Sequence, residues 1–288
     1  MPFLLVLILW FVSCTTHDAA QAPAGLTDEA TYLPVKGLVK DTISGVPVWL
    51  IQDFDDTLHA HPTLLVLPGW NFAAERWLSE TRLRQLADSM HYLLVMPEMQ
   101  RSIYATHYYP ETSADMRAQP TGRWVTDTLI PTLQRNYSIL LPGQPNAVLG
   151  LSTGGRGALY CLWKRKDVFC AGASLSGDFN QAVMPADRLM TAVYGPYARN
   201  PQRWLHDDNL FTHAAEIEPP VFMAHGGADM VVPPAQSKDM LNRLKAMHPT
   251  QTYTSHFPPG EGHTFHFWNA ELDSVFAFFE HVLPQRKP

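Results

Sequence analysis

Short apolar segments recur along the chain and alternate with segments of helical character. Predicted strands cover residues 35–40, 46–52, 63–67, 92–96, 146–150, 171–175, 221–224 and 252–257. The first two flank Ser44-Gly45, a pair typical of a tight hairpin turn. Several of the others are continuous apolar runs, as expected of parallel strands that are covered on both faces.

Helical segments are predicted between these strands, at residues 73–90, 122–136 and 265–283, and Pro131 could kink the second. Because helices and strands alternate to the end of the chain, the sequence predicts an α/β protein with a mainly parallel central sheet and helices on both faces. Residues 176–220 are longer than an ordinary connection, so they could form part of a small lid.

Composition and charge narrow the class of protein. Of 288 residues, 46% are hydrophobic and 17% are charged, which excludes a disordered or collagen-like chain. The chain has 21 Lys and Arg residues against 27 Asp and Glu, a net charge of −6, and no cluster of basic residues. A nucleic acid is therefore not an expected partner.

The amino-terminal segment predicts export. Residues 3–12 are all apolar, a run too short to span a bilayer but suited to the apolar core of a signal peptide. Residues 11–14 (FVSC) resemble the lipobox of bacterial lipoproteins, in which the cysteine becomes the lipidated first residue. This predicts a leader at 1–14, a tether at 15–32, a single domain at 33–288, and membrane attachment through Cys14 in the bacterial periplasm or outer membrane.

Other fates of the amino terminus and of the cysteines stay open. Cleavage after Ala20-Gln21-Ala22 would give a secreted protein, and an uncleaved anchor or a misassigned start are further alternatives. Besides Cys14, only Cys161 and Cys170 are present, and they fit no metal-binding pattern. They are either two buried thiols or a disulfide.

A candidate nucleophile lies where a predicted strand meets a predicted helix. Residues 150–154 (GLSTG) have the G-x-S-x-G pattern of a nucleophile elbow in the strand–turn–helix context that the motif requires. The residues two positions before and after the serine must be small, because the turn is tight and must expose the hydroxyl. The pattern predicts Ser152 as the nucleophile, with an inert serine in a Gly-rich turn as the alternative.

An acid and a base follow in the order serine, acid, histidine that such sites use. Asp229 lies on a Gly-rich turn after a predicted strand and is the predicted acid, with Asp178 and Asp239 as alternatives. His263 lies on the loop before the last helix and is the predicted base. His266 is expected to be helical already and to point elsewhere.

The negative charge that develops on a tetrahedral intermediate requires fixed hydrogen-bond donors. One is expected to be the N–H of Thr153, directly after the serine. The second is expected from the loop at residues 68–71 (PGWN), where Gly69 allows the turn and Trp70 supplies the N–H. The alternative is that Trp70 only packs against the edge of the sheet.

These motifs resemble the esterase D-like branch of the α/β-hydrolase superfamily, which includes S-formylglutathione hydrolases, feruloyl and related carbohydrate esterases, and mycolyl-transferring antigen proteins. Residues 150–159 (GLSTGGRGAL) are similar to that family's G-L-S-M-G-G-x-G-A-L, and residues 129–131 (LIP) to its E-L-I-P helix. Gly262-His263 with Trp268 matches G-x-H-x-x-x-x-W. The departures are Pro68, Thr128 and Thr153, none of which belongs to the predicted triad.

The resemblance implies the α/β-hydrolase fold and ester hydrolysis through an acyl-enzyme, with carbohydrate-linked or aromatic acyl esters as candidate substrates. Tyr108 and Tyr109, in a loop that also contains Tyr104 and His107, are candidate substrate-binding residues, or they only cover the sheet. No cofactor is implied, and no histidine spacing predicts a metal. A peptidase, an acyltransferase and a catalytically silent scaffold stay open, although the chain has no propeller-sized segment before the motifs.

If Cys14 carries a lipid, the full-length protein should sediment with membranes, because acyl chains partition into the bilayer. Cys14→Ser should move it to the soluble fraction or leave the leader uncleaved, as measured by fractionation and by mass spectrometry of the amino terminus. Recovery of the wild-type chain as soluble protein that begins near Gln21 would contradict lipidation.

Overall fold

The computed structural model describes residues 35–54 and 61–284. The predicted leader, tether and lipidation site at Cys14 lie outside these residues. Within the described residues, no helix combines the length and the apolar character that a membrane span requires.

One sheet of eight strands forms the centre of the described part of the chain. The strands are β1 (Gly37–Ile43), β2 (Val46–Gln52), β3 (Thr63–Leu67), β4 (Leu93–Pro97), β5 (Asn146–Leu151), β6 (Phe169–Leu175), β7 (Val221–Ala224) and β8 (Tyr253–His256). Their order across the sheet is β1-β2-β4-β3-β5-β6-β7-β8. Strands β1 and β2 are antiparallel to their neighbours and the remaining strands run parallel. The predicted, mainly parallel α/β sheet is confirmed.

The predicted hairpin between β1 and β2 has a two-residue turn. Ile43 pairs with Val46, and Ser44 and Gly45 both have positive φ, at 49° and 82°. Two positive φ values are typical of the type I′ turn, whose twist matches that of the flanking strands. Strand β1 begins two residues later and ends three residues later than the predicted segment 35–40.

Helices cover both faces of the sheet. They are α1 (Arg76–Ser79), α2 (Leu83–Ser89), α3 (Ala114–Arg117), α4 (Gly122–Trp124), α5 (Ile130–Tyr137), α6 (Thr153–Lys164), α7 (Arg188–Tyr194), α8 (Ala235–Met247) and α9 (Phe265–Val282). Short 3₁₀ turns lie at Gln181–Val183 and Ala214–Glu216, and π-helical turns at Val125–Leu129 and Arg203–Asp207. One apolar cluster fills the space between the sheet and α5, α6 and α8, and a second fills the space under α2 and α9.

The segment of predicted helical character at residues 73–90 contains two short helices, α1 and α2. The Thr81 hydroxyl donates to the Trp77 carbonyl and accepts the N–H of Leu83 at 3.1 Å, so it ends α1 and begins α2. A side chain that bonds the local backbone in this way competes with a continuous helix. The irregularity near Pro131 is the π-helical turn between α4 and α5, which ends at Leu129, two residues before the proline that lacks an N–H.

Residues 176–220 and residues 103–116 together form a small apolar cluster, separate from the two clusters that pack against the sheet. Met190, Val193, Tyr194 and Trp204 pack there against Ile103 and Met116, among others. The segment contains α7 and packs onto the loop after β4. It is therefore held by a core and is not only an extended connection.

The two cysteines of the domain lie in adjacent elements, Cys161 in α6 and Cys170 in β6. Both are buried, Cys161 is a free thiol, and burial raises its pKa to about 12. Of the two alternatives, the structure has buried thiols and no bond between Cys161 and Cys170.

Candidate active site

Ser152 lies in a sharp turn between the end of β5 and the start of α6. Its φ is 53°, in the left-handed region that non-glycine residues rarely adopt. The turn leaves no space for side chains at its two glycines. A Cβ at Gly150 would overlap the carbonyl oxygen of Gly154, and a Cβ at Gly154 would overlap that of Leu67 in β3. The G-x-S-x-G spacing thus satisfies a contact between backbone segments, and it leaves the serine at the carboxyl edge of the sheet.

Three loops bring Ser152, His263 and Asp229 into one row of hydrogen bonds. His263 Nε2 lies 3.0 Å from Ser152 Oγ, and His263 Nδ1 lies 2.6 Å from Asp229 Oδ2. The serine follows β5, the aspartate follows β7 and the histidine follows β8. Because the parallel strands end at the same edge, residues more than 100 positions apart in sequence come into contact.

The alternative acids and the alternative base lie elsewhere. Asp178 forms a buried ion pair with Arg156 at 3.4 Å, and Asp239 is exposed in α8. His266 lies in the first turn of α9 and is exposed to solvent. None of the three contacts Ser152.

The Asp229 carboxylate is buried and accepts hydrogen bonds at both oxygens. Oδ1 accepts the N–H groups of Val231 and Val232 at 2.8 and 2.9 Å, and Oδ2 contacts His263 and, at 3.2 Å, His225 Nε2. Burial alone would raise the pKa of Asp229. The hydrogen bonds from His225, His263 and the amide of Val232 outweigh it and hold the pKa well below its ordinary value. Asp229 is therefore ionised throughout the neutral range.

The His263 ring packs against Trp268. The two rings meet edge to face with 4.9 Å between centroids, and the Trp268 Nε1–H donates to Ser176 Oγ at 3.1 Å. Trp268 is buried, so its ring is a fixed wall beside the imidazole. This contact gives a physical reason for a tryptophan five positions after the histidine.

The loop after β3 runs past the nucleophile, with Trp70 directly after Gly69, and Thr153 directly follows the serine at the start of α6. A Cβ at Gly69 would lie 3.0 Å from Ser152 Cβ, so this loop runs directly past the serine. Within the described residues, no protein acceptor takes the N–H of Trp70 or of Thr153. Two donors without protein partners next to a nucleophile are what an oxyanion hole requires.

The same loop is held by the segment that follows β4. The Tyr104 hydroxyl donates to the Pro68 carbonyl at 2.7 Å, and the Asn71 N–H donates to the Gln100 carbonyl at 2.6 Å. Tyr104 is fully buried, and burial is the main reason why its pKa lies well above the ordinary value. The Tyr104 ring therefore belongs to the core beneath the loop.

Tyr108 and Tyr109 lie next to the small apolar cluster of residues 176–220. The Tyr108 hydroxyl donates to the Gln119 carbonyl at 3.0 Å, and the Tyr109 hydroxyl donates to Asp207 Oδ2 at 2.6 Å. Their role in substrate binding stays a prediction.

Two buried side chains were missed by the sequence reasoning. Arg156, in the first turns of α6, donates to Gln181 Oε1, to the Tyr194 hydroxyl and to the Asp208 carbonyl. It therefore ties the helix behind the nucleophile to residues 176–220. The second is His225 beside Asp229, and the available signal was its place directly after a strand, in the same turn as the predicted acid.

Within residues 35–54 and 61–284, no three His, Cys, Asp or Glu side chains are arranged to hold a metal ion.

Replacing Gly154 by alanine should destabilise the protein, because the new Cβ overlaps the carbonyls of Leu67 and Pro68, which cannot move without disturbing β3. We expect a loss of at least about 2 kcal/mol, and hence a fall in Tm of roughly 4 °C or more. Gly260→Ala is the matched control, since a Cβ there meets nothing within 4 Å. Equal melting temperatures for the two variants would contradict this account of the turn.

Comparison with known proteins agrees with this architecture. The sequence model of the prolyl oligopeptidase family matches residues 143–286, which are 144 of the 288 residues. No curated protein matches the sequence significantly.

Three similar solved structures share the fold at low sequence identity. An S-formylglutathione hydrolase from Agrobacterium tumefaciens is 12% identical with a TM-score of 0.67, over 86% of this chain and 95% of that chain. A ferulic acid esterase is 15% identical with a TM-score of 0.63, over 85% and 98%. The acylaminoacyl peptidase of Pyrococcus horikoshii is 13% identical with a TM-score of 0.63, over 87% of this chain and 42% of that one.

The predicted fold is confirmed, and esterases of the predicted branch are among the proteins that share it. The sequence model that matches covers half of the chain, including Ser152, Asp229 and His263. The chain belongs to the prolyl oligopeptidase family and has the α/β-hydrolase fold.

Proposed function

We propose that this protein is a serine esterase, which hydrolyses carboxylic esters through an acyl-enzyme intermediate. The observation that carries the proposal is the position of His263, whose two ring nitrogens contact Ser152 Oγ at 3.0 Å and Asp229 Oδ2 at 2.6 Å. An imidazole held in this way can take a proton from the serine and later return it.

In the first half of the reaction, Ser152 Oγ attacks the ester carbonyl carbon while His263 Nε2 takes the hydroxyl proton. The carbonyl electron pair moves to oxygen, and the N–H groups of Trp70 and Thr153 donate to the resulting oxyanion. Asp229 accepts from Nδ1–H and stabilises the imidazolium. Collapse of the intermediate breaks the bond to the alcohol oxygen, which takes the proton from His263 and leaves as the free alcohol.

In the second half, water attacks the acyl carbon of the ester on Ser152 and gives its proton to His263. Collapse of this second intermediate releases the carboxylic acid and returns the proton to Ser152 Oγ. The net reaction is ester plus water to acid plus alcohol. An alcohol in place of water would make the same site an acyltransferase, so the ratio of free acid to new ester in the presence of an added alcohol distinguishes the two.

The surface around Ser152 supports an ester with an apolar or aromatic group. Exposed large apolar side chains are few in the described residues: Leu38, Trp70, Val183, Met230 and Val231. All except Leu38 lie on the connections after β3, β6 and β7; β3 and β6 flank β5 in the sheet, and β7 lies next to β6. Apolar groups exposed at the rim of a site contribute to affinity by being removed from water when a ligand binds. A carbohydrate-linked ester is the alternative that the same substrate series tests.

A peptidase is the second candidate function. The family model that matches, and the similarity in fold to an acylaminoacyl peptidase, favour it. The esterases that share the fold are covered over nearly their whole length, whereas that peptidase is covered over 42%.

Ser152→Ala and His263→Ala should each lower kcat/KM for p-nitrophenyl esters by 10³-fold or more, since each removes a member of the row. The matched control His266→Ala should keep most of the activity, because His266 is exposed and contacts none of these groups. The wild-type protein and the three variants are assayed on p-nitrophenyl esters and on p-nitroanilides of the same acyl groups. Circular dichroism tests whether each variant is folded. Ser152→Ala within tenfold of wild type would overturn the proposal, and anilides cleaved as fast as esters would favour the peptidase.

Met230→Ser should weaken selection for long acyl chains, because a side chain that is 94% exposed beside Asp229 has apolar surface available for a ligand. We expect the ratio of kcat/KM for p-nitrophenyl octanoate to that for the acetate to fall by about threefold to tenfold. Leu38→Ser, on the edge strand β1, is the matched control and should leave the ratio unchanged. A ratio that changes equally in both variants would contradict an apolar rim.

A further inference from the structure

We propose that His225 is a positioning residue for the proposed reaction: a second imidazole that fixes the Asp229 carboxylate and limits how strongly it attracts the proton of His263. The inference rests on the proposed function. It goes beyond the Ser152–His263–Asp229 row, because His225 contacts neither the nucleophile nor the base in that row.

His225 is fully buried directly after β7, and its backbone N–H and both ring nitrogens have partners. Its N–H donates to the His256 carbonyl at 3.0 Å, in line with the sheet. Nε2 lies 3.0 Å from the Val232 carbonyl and 3.2 Å from Asp229 Oδ2, and Nδ1 lies 2.7 Å from Ser237 Oγ in α8. The ring therefore spans from the catalytic turn to a helix behind it.

These partners fix the tautomer of His225. A backbone carbonyl and an ionised carboxylate only accept hydrogen bonds, so Nε2 carries the proton and shares it between Val232 and Asp229. Nδ1 is then an acceptor for the Ser237 hydroxyl, which is itself fully buried. Every polar atom of the neutral ring is satisfied in this arrangement, whereas the other tautomer would face two acceptors with a lone pair.

The Val232 backbone closes the arrangement, because its carbonyl accepts from His225 while its N–H donates to Asp229 Oδ1. Asp229 consequently has four N–H donors around it: two amides, His263 and His225. A carboxylate with this many donors holds its orientation and has part of its charge neutralised by each.

Few other ionisable groups bear on this cluster in the described residues. Asp178 acts on His263 through space from the loop after β6, and it is itself paired with Arg156. From α8 the nearest polar group is the uncharged Ser237 hydroxyl. His225 is thus the one histidine other than His263 that touches the Asp229 carboxylate within this part of the chain.

Loss of the His225 donor should shift the pH dependence of kcat/KM in a definite direction. With one N–H fewer, the Asp229 charge is less neutralised and attracts the imidazolium form of His263 more strongly. The protonated, inactive form of the site is then favoured, so the acid limb of kcat/KM moves to higher pH. The Asp229 carboxylate is also less fixed, so kcat falls while KM stays near its wild-type value.

The test compares two amides at position 225 in the full-length protein. A glutamine amide reaches the place of Nε2 and can donate to Asp229, whereas an asparagine amide reaches only the place of Nδ1. For His225→Asn we expect kcat on p-nitrophenyl acetate to fall about tenfold or more, and the midpoint of the acid limb to rise by about half a pH unit to one unit. His225→Gln should return both quantities most of the way to wild type, and Ser237→Ala should shift them in the same direction by less.

A readout without turnover accompanies the kinetics. The proton in the 2.6 Å hydrogen bond between His263 and Asp229 should give a downfield ¹H resonance, whose pH titration should move with the acid limb. An acid limb and a titration that stay at their wild-type midpoints in folded His225→Asn, or in Ser237→Ala should the first variant not fold, would overturn the proposal. A wild-type protein without Ser152-dependent activity would instead overturn the proposed function, and the titration alone would then decide the role of His225.

Discussion

The hydrogen bond of 2.6 Å between His263 Nδ1 and Asp229 Oδ2 joins two loops that lie 34 residues apart in sequence. A bond this short to a carboxylate tolerates little displacement, so the ends of β7 and β8 must hold a fixed separation. The register of the parallel pair from Val221–Tyr253 to Ala224–His256 provides it. The other half of the row depends in the same way on β5, next to β6 in the sheet, and on the helix that begins after Ser152.

The surroundings of the row keep it rigid at some energetic cost. Ser152 has an unfavourable positive φ, and the arginine of α6 is buried with its full charge. A strained backbone angle and a buried charge persist only where the surrounding groups hold them in place. Here the backbone contact between Gly154 and β3 fixes the turn, and Arg156 is surrounded by acceptors from residues 178–208. The apolar cluster of residues 176–220 is thereby tied to the helix behind the nucleophile, which gives that insertion a structural part in the site.

The sequence was informative wherever local chemistry decides the structure. Strands β3 and β7 have the predicted bounds, because each is an apolar run that begins or ends next to proline or glycine. The elbow and the order of serine, acid and histidine located three residues that the structure brings together.

Contacts between distant segments could not be predicted from the sequence. The break after α1 involves the Arg82 N–H bound to Asn269 Oδ1, 187 residues away, and the buried position of Tyr104 depends on packing under α6. His225 was overlooked because a histidine beside an aspartate turn has no pattern of its own until the two rings are seen to share one carboxylate.

Ser152 is proposed as an activated nucleophile held by His263 and Asp229, and covalent labelling is the direct test. Native full-length protein is treated with a fluorophosphonate, and the adduct is counted by intact mass and located by peptide mapping. We expect one phosphonyl group per chain, on Ser152, which forms in the folded protein and not in protein unfolded in urea. A protein that stays unlabelled, or that carries the group on another residue, would contradict it.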